Sequence, residues 1–296
     1  MITTKMKAPS AELMSLITNS THTLIAGTTG SGKSVLLNSI LYALALNVNY
    51  TFLLIDTKRV ELKEYAIIPR NFYHITEPEQ VPEGLDLVIE EMERRYSTMV
   101  GKKSDEPSVY VVIDELADLV TSNDEVSRRV LNQIIKIGRL GRAANIHMIC
   151  CTQDPSRRTL SAQLMQNFTT CIALRCKTDI ESRQIIGIDG AESLPRYGKA
   201  IVSSADGYKT IDVPFTPDED IKELCESLAD LHQWVIDLKN YNEEIEFQAS
   251  LENDKYNRLV KPLRKGKLNP PPVKPQWLSP DLESWLKDGS WVERWV

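Results

Sequence analysis

No stretch of the sequence approaches the ~18 uninterrupted apolar residues that a membrane-spanning helix needs. Lys5 and Lys7 near the N-terminus are not followed by an apolar run long enough for a secretory signal. The five cysteines (150, 151, 171, 176 and 225) have no metal-ligand spacing, and two of them are adjacent within an apolar run. These absences point to reduced, buried thiols and to a cytoplasmic protein with no membrane span. Internal repeats are also missing, so the chain is not a repeat array.

Positive charge is in short supply as well. The net charge of −6 at first argues against a nucleic-acid partner. Its distribution reverses that argument. Residues 1–216 carry 24 Lys+Arg against 25 Asp+Glu, residues 217–254 carry 2 against 12, and residues 255–274 carry 7 against none. The acidity is local and leaves room for a basic surface elsewhere. With 42% apolar and 26% charged residues, the chain of 296 has ample material for one large domain with an appendage.

The chain is organised around Thr23-Leu-Ile-Ala-Gly27-Thr28-Thr29-Gly30-Ser31-Gly32-Lys33-Ser34-Val35. An apolar strand (Thr23–Ala26) leads into a loop fitting G-x-x-x-x-G-K-[ST], and an apolar-periodic helix (Lys33–Leu46) follows. That context is the one a phosphate-binding P-loop requires. The glycines let backbone N–H groups face phosphate oxygens, Lys33 reaches the β/γ-phosphates, and Ser34 is placed to hold Mg²⁺. The helix N-terminus adds its positive dipole end. Gly27 through Val35 are therefore the candidate ATP contacts.

Tyr50–Ile55 reads as a buried parallel strand. It ends in Asp56-Thr-Lys58-Arg59, where open α/β sheets place ligands. Lys58 and Arg59 fit a contact at the nucleotide or subunit interface, or a solvated turn. Pro78 and Pro82 bracket a loop before a helix at Leu85–Met99. A second buried strand, Ser108–Ile113, closes on Asp114-Glu115, the Walker B pattern, in which Asp114 orders the metal and Glu115 polarises the attacking water. A helix over Asp124–Ala144 precedes strand Asn145–Thr152, closed by Gln153, a polar side chain placed to report the γ-phosphate. His147, inside that apolar run, reads as a core histidine. One or two helical turns at 161–167, strand Thr169–Leu174, helix Thr178–Ile186 capped by Gly187, and a hairpin (Lys199–Val202, Lys209–Val213) about Asp206-Gly207 complete the pattern. Strands alternating with helices predict an α/β fold with a mostly parallel sheet flanked by helices.

Composition then shifts. Asp218–Leu238 reads as an acidic amphipathic helix, and residues 255–275, rich in proline and basic residues, as an extended linker. The last 20 residues hold four of the five tryptophans (277, 285, 291, 295), which suit burial on the chain's own core or docking on a neighbouring subunit or protein partner. The expected division is 1–216 as ATPase domain, 217–254 as acidic helical segment, and 255–296 as linker and tail.

The segments LIAGTTGSGKSVLLNSIL, FLLIDTKRVEL, EMERRYSTM, VVIDELADL, GRAANIHMICCTQDPS and DIESRQIIGIDGAESL, in this order across about residues 20–205, resemble successive motifs of the FtsK/SpoIIIE DNA translocases. The resemblance implies a RecA-like P-loop NTPase domain, assembled as a hexameric ring, that moves double-stranded DNA using ATP and Mg²⁺. It assigns ATP to Gly27–Ser34, the metal and the water to Asp114 and Glu115, and γ-phosphate sensing to Gln153. Membrane spans, a long linker and a site-reading winged helix, which chromosomal members carry, leave no trace here, so the expected cargo is the DNA of a plasmid, phage or conjugative element. The family's arginine after the N-x-x-T turn is Cys171 here. Arg175 lies four residues further on, ~13 Å along a strand, and Arg142 and Arg183 are the other candidates for an arginine acting across a subunit interface, a contribution of about 10³–10⁵ in rate. Candidate DNA contacts are Lys102 and Lys103, Arg157 and Arg158, or the linker Lys261–Lys267. Two alternatives keep the same fold: a protein-secretion ATPase, and an ATP-gated assembly or recruitment protein.

Overall fold

In a computed structural model, residues 11–69, 71–122 and 124–230 are described. The elements in chain order are α1 (Ala11–Asn19), β1 (His22–Ala26), α2 (Lys33–Ala45), β2 (Thr51–Ile55), β3 (Phe72–Ile75), α3 (Val81–Thr98), β4 (Val109–Ile113), α4 (Leu116–Val120), α5 (Glu125–Leu140), β5 (Ile146–Thr152), α6 (Ala162–Met165), β6 (Thr170–Ala173), α7 (Asp179–Ile186), β7 (Lys199–Ser204) and β8 (Gly207–Asp212). The eight strands form one sheet in the order β3-β2-β4-β5-β1-β6-β7-β8. Strands β1 to β6 pair in parallel, and the β7–β8 hairpin adds antiparallel to the β6 edge. The fold is thus the expected α/β RecA-like P-loop architecture, with β5 between the P-loop strand and the Walker B strand.

The central strands read as continuous apolar runs because both faces are covered. Leu24, Leu53, Val111, Ile113, Met148 and Cys150 join one core cluster with residues of α3, α4 and α5. Their alternating neighbours, such as Ile25, Leu54, Val112 and Ile149, point the other way and are equally buried. On that second face an aromatic ladder crosses four strands. Phe72, Phe52, Tyr110 and His147 are register partners in turn. Their rings stack at centroid distances of 4.5, 5.6 and 4.9 Å. Each such pair contributes about 0.5–1.5 kcal/mol beyond area burial. All four lie near the amino ends of their strands, so the ladder fixes the end of the sheet away from the P-loop. His147 is a core histidine, with Nδ1 against the Ser20 carbonyl and Nε2 against Asn145 Oδ1.

Two local expectations need correction, and one strand was not expected. Helix α3 starts at Val81, not Leu85, because Pro82 sits in its first turn, where a missing N–H costs nothing and the fixed φ suits a helix. Strand β3 had no sequence signal: it is four residues long, only partly buried, and sits at the sheet edge. Strand β6 ends at Ala173, so Arg175 lies beyond it, and strand alternation does not relate Arg175 to Cys171. The hairpin turns at Gly207, whose φ of 99° is the left-handed conformation expected there.

Met6–Cys225 form one compact unit, and within it Ile221, Leu224 and Cys225 are buried. All five cysteines are free and buried. Among the described residues, no helix is long and apolar enough to cross a membrane. The part of the expected acidic helix beyond residue 230, the expected linker and the tryptophan-rich tail lie outside the described residues.

Candidate nucleotide site

The P-loop joins β1 to α2, and its neighbours at the carboxyl ends of β5 and β6 hold it in place. Gly27 N donates to the Thr152 carbonyl at 3.3 Å, and Thr28 donates through both N and Oγ1 to the Arg175 carbonyl at 3.0 and 3.1 Å. A Cβ on Gly27 would lie 2.8 Å from Leu174 Cβ and from Ser31 Oγ, so only glycine fits that close approach. Gly32 caps α2 in the left-handed conformation, with φ 96°. Among the described residues, the N–H groups of Gly30, Gly32, Lys33 and Ser34 find no backbone acceptor. Donors left free at a helix start are an anion-binding device.

Lys33 opens α2, and its buried ammonium donates to the Asp114 carbonyl at 3.1 Å, with Asp114 Oδ1 at 3.5 Å. Burial works against its charge, yet Cys151, Asp114 and Glu115 nearby together outweigh that and raise its pKa. Burial also pushes the Asp114 carboxyl up, and Lys33 pulls the other way. Asp114 Oδ1 accepts no hydrogen bond, and Ser31 Oγ is likewise buried without one. The hydroxyl of half-buried Ser34 forms no hydrogen bond among the described residues. Orphaned oxygens beside free N–H groups are what a nucleotide with its divalent cation would satisfy. The residues present therefore fit both groups.

Glu115 is buried and fully engaged. Oε1 accepts from Thr152 Oγ1 at 2.8 Å and from Gln153 N at 3.1 Å, and Oε2 accepts from Lys58 Nζ at 3.3 Å. Gln153 Oε1 in turn accepts from Thr29 Oγ1 at 2.6 Å. One chain of hydrogen bonds thus connects the P-loop, the residue after β5 and the carboxylate after β4. Asp56, at the end of β2, is buried with Oδ2 accepting from Leu62 N at 3.0 Å and Oδ1 without a partner. Thr152 and Asp56 were not foreseen as site residues. Their signal was position alone, a polar residue at the carboxyl end of a buried strand.

The remaining basic candidates separate. Lys58 faces Glu115, whereas Arg59 turns away with φ 57° and pairs with Glu77. Arg142 is exposed in the turn before β5, at the end of the sheet opposite Gln153. Arg183 pairs with Asp179 at 2.9 Å and Asp189 at 3.3 Å. Arg175 has its carbonyl on the P-loop and an exposed side chain. Lys102, Lys103 and Arg157 are exposed, Arg158 donates to the Thr121 carbonyl, and Lys261–Lys267 lie outside the described residues. A groove of about 680 Å³ lined by Asp86, Arg128, Arg129 and Lys136 includes no P-loop residue.

The model of the FtsK/SpoIIIE family matches residues 5–105 and 98–157, together just over half of the chain. A DNA translocase FtsK of Staphylococcus aureus is 32% identical over 259 residues, covering 78% of this chain and 32% of that protein. The chain thus spans about a third of the length of such curated relatives. Among solved structures, the pCW3 conjugation coupling protein TcpA, in monomer form with ATPγS, superposes with a TM-score of 0.63 at 24% identity, covering 73% of this chain and 66% of that one. ATPases 2 and 3 of EssC from Geobacillus thermodenitrificans give 0.60 at 20% identity, covering 72% and 44%. The family model matched over half of the chain and the relative at 32% identity place the chain in the FtsK/SpoIIIE family, whose P-loop ATPase domain it carries.

Proposed function

We propose that the chain hydrolyses ATP to translocate double-stranded DNA, working as a ring, hexameric by family resemblance, on the DNA of a plasmid, phage or conjugative element. The observation that carries this reading is the continuous path Thr29–Gln153–Glu115, because a motor must couple what sits on the P-loop to the group that activates water. The free N–H groups of the loop and Lys33 would hold the phosphates. Ser34, with Asp114 acting through water, would hold Mg²⁺, which supplies neutralisation of phosphate charge. Glu115 would polarise the attacking water once it leaves some of its present partners, and Gln153 would sense the γ-phosphate from its link to Thr29. The arginine acting on a neighbouring subunit is sought among Arg175, Arg142 and Arg183, with Arg175 favoured because Asp179 and Asp189 already neutralise Arg183.

Residues 1–216 are proposed as the motor domain, followed by the acidic helical segment 217–254 and the linker and tail 255–296, the tail being a candidate for docking on a protein partner. Phosphate tracking by Lys102, Lys103 and Arg157 needs few contacts per subunit when a ring repeats them. A relative named as a DNA translocase and a structural neighbour named as a conjugation coupling protein support DNA as the cargo. The test is the steady-state ATPase rate with and without linear duplex DNA, on wild type and Glu115→Gln. Several-fold stimulation that the variant lacks is the expected result. A rate indifferent to DNA would instead favour a protein-secretion ATPase or an ATP-gated assembly protein of the same fold.

A further inference from the structure

The P-loop has a basic neighbour that no motif marks. Gly30 stands in the left-handed conformation with φ 72°, and a Cβ built on it would meet one atom within 4 Å: Nη2 of Arg196, at 3.6 Å. Arg196 belongs to the connection between α7 and β7, which returns to the sheet beside the loop. Its guanidinium forms no ion pair or hydrogen bond among the described residues. It lies instead 5.1 Å from the ring centroid of Tyr197, a contact that orients a cation without neutralising it. The two lysines of the site differ in this respect. Lys33 is paired with Asp114, and Lys58 with Glu115 and Asp118.

A planar guanidinium with unused donors, aimed at a loop whose own N–H groups are unsatisfied, matches a polyphosphate in both charge and shape. We propose that Arg196 is a nucleotide-binding residue that acts within its own subunit, donating to the phosphates seated on the P-loop, and that Tyr197 positions it. The inference rests on the ATP reading above and deepens it. It separates Arg196 from Arg142, Arg175 and Arg183, whose proposed action is across a subunit interface, because the guanidinium of Arg196 already stands at its own P-loop, whereas Arg175 meets that loop through its carbonyl. Sequence reading passes over it because Leu194-Pro195-Arg196-Tyr197-Gly198 matches no nucleotide motif and contacts the loop only through the fold.

The test is equilibrium binding of fluorescent ADP and ATP analogues to the full chain, diluted until it sediments as a monomer. Arg196→Ala is expected to weaken both nucleotides roughly tenfold, the effect of one charge-assisted hydrogen bond to phosphate. Arg196→Lys, which keeps the charge but loses the fork, should fall between the two, and Tyr197→Leu should weaken binding less than Arg196→Ala does. Arg196→Gln, closer in volume, replaces the alanine variant if that one fails to give the wild-type thermal melt without nucleotide. Wild-type affinity in a folded Arg196→Ala or Arg196→Gln monomer overturns the inference, as does a loss that appears only on assembly. If the wild type binds neither nucleotide, the ATP reading fails with it; if the wild type binds and the variant binds equally, only the role of Arg196 fails.

Discussion

Lys58 Nζ lies 3.3 Å from Glu115 Oε2 and 3.6 Å from Asp118 Oδ2, so one side chain from the end of β2 spans the carboxylate after β4 and the first turn of α4. With Thr152 and Gln153 on the same carboxylate, every orientation open to Glu115 that would face water must first break one of these contacts. Lys58 is 41% exposed, so solvent screens the pair and limits it to at most about 1 kcal/mol, roughly fivefold in rate. Lys58→Met removes the tether and nothing from the P-loop. Basal ATP turnover should rise by up to about fivefold, stimulation by DNA should fall, and nucleotide affinity should stay the same. Turnover measured beside a binding titration checks this, and an unchanged rate would reduce the pair to a surface contact.

Glu115→Gln tests the role of the carboxylate itself. The amide oxygen can still accept from Thr152 Oγ1 and Gln153 N, so the local fold should hold. An amide cannot take a proton from water. Single-turnover hydrolysis should drop by about 10²–10⁴, the usual worth of a positioned general base, with ATP still bound. Loss of binding together with turnover would mean that the residue supports the loop and not the chemistry.

The aromatic ladder gives a stability prediction separable from the site. Phe52 is fully buried between Phe72 and Tyr110. Phe52→Ala should cost about 3–5 kcal/mol through the cavity and the lost stacking. Because the ladder lies near the amino ends of the strands, nucleotide affinity of the folded variant should remain at the wild-type value. Denaturant unfolding and a nucleotide titration on the same preparation read both quantities.

Much of the site was legible because the chemistry of a P-loop enzyme is written in short contiguous runs. Gly27–Ser34, Asp114-Glu115 and Gln153 each sit at the end of an apolar strand, and a parallel sheet brings such ends together. Pairings between distant segments were not legible: Lys58 with Glu115, Thr29 with Gln153, and Arg196 over Gly30 depend on strand order, which alternation of elements leaves open. Nor does a motif say what its residues do. In EMERRYSTM, Arg95 is a clamp of the fold, donating to the Pro107 and Ala144 carbonyls at 2.9 Å and to Glu91 Oε1 at 2.6 Å. It ties α3 to the segments leading into β4 and β5. Edge strand β3 stayed hidden because four residues, three half-buried and one exposed, carry little periodicity.

His22 makes the fold sensitive to mild acid. Its Nδ1 accepts the Met148 N–H at 3.0 Å, which requires the neutral ring with its proton on Nε2. Burial, and then the neighbouring His147, hold its pKa down from 6.5 to about 3. Burial lowers His147 as well. Above pH 6.5 the ring is neutral in both the folded and the unfolded chain, so no stability depends on it there. As pH falls from 6.5 towards 3, the unfolded chain takes up a proton that the folded chain refuses, and stability is lost across that window. Between pH 6.5 and 5 the loss from His22 should reach about 2 kcal/mol, with His147 adding in the same direction. Denaturant midpoints at pH 7.5 and 5 should therefore differ. His22→Gln keeps an acceptor for Met148 N–H but cannot titrate, so it should narrow that difference. If the difference stays as wide in His22→Gln as in the wild type, proton uptake elsewhere governs the acid sensitivity and the buried ring plays no part in it.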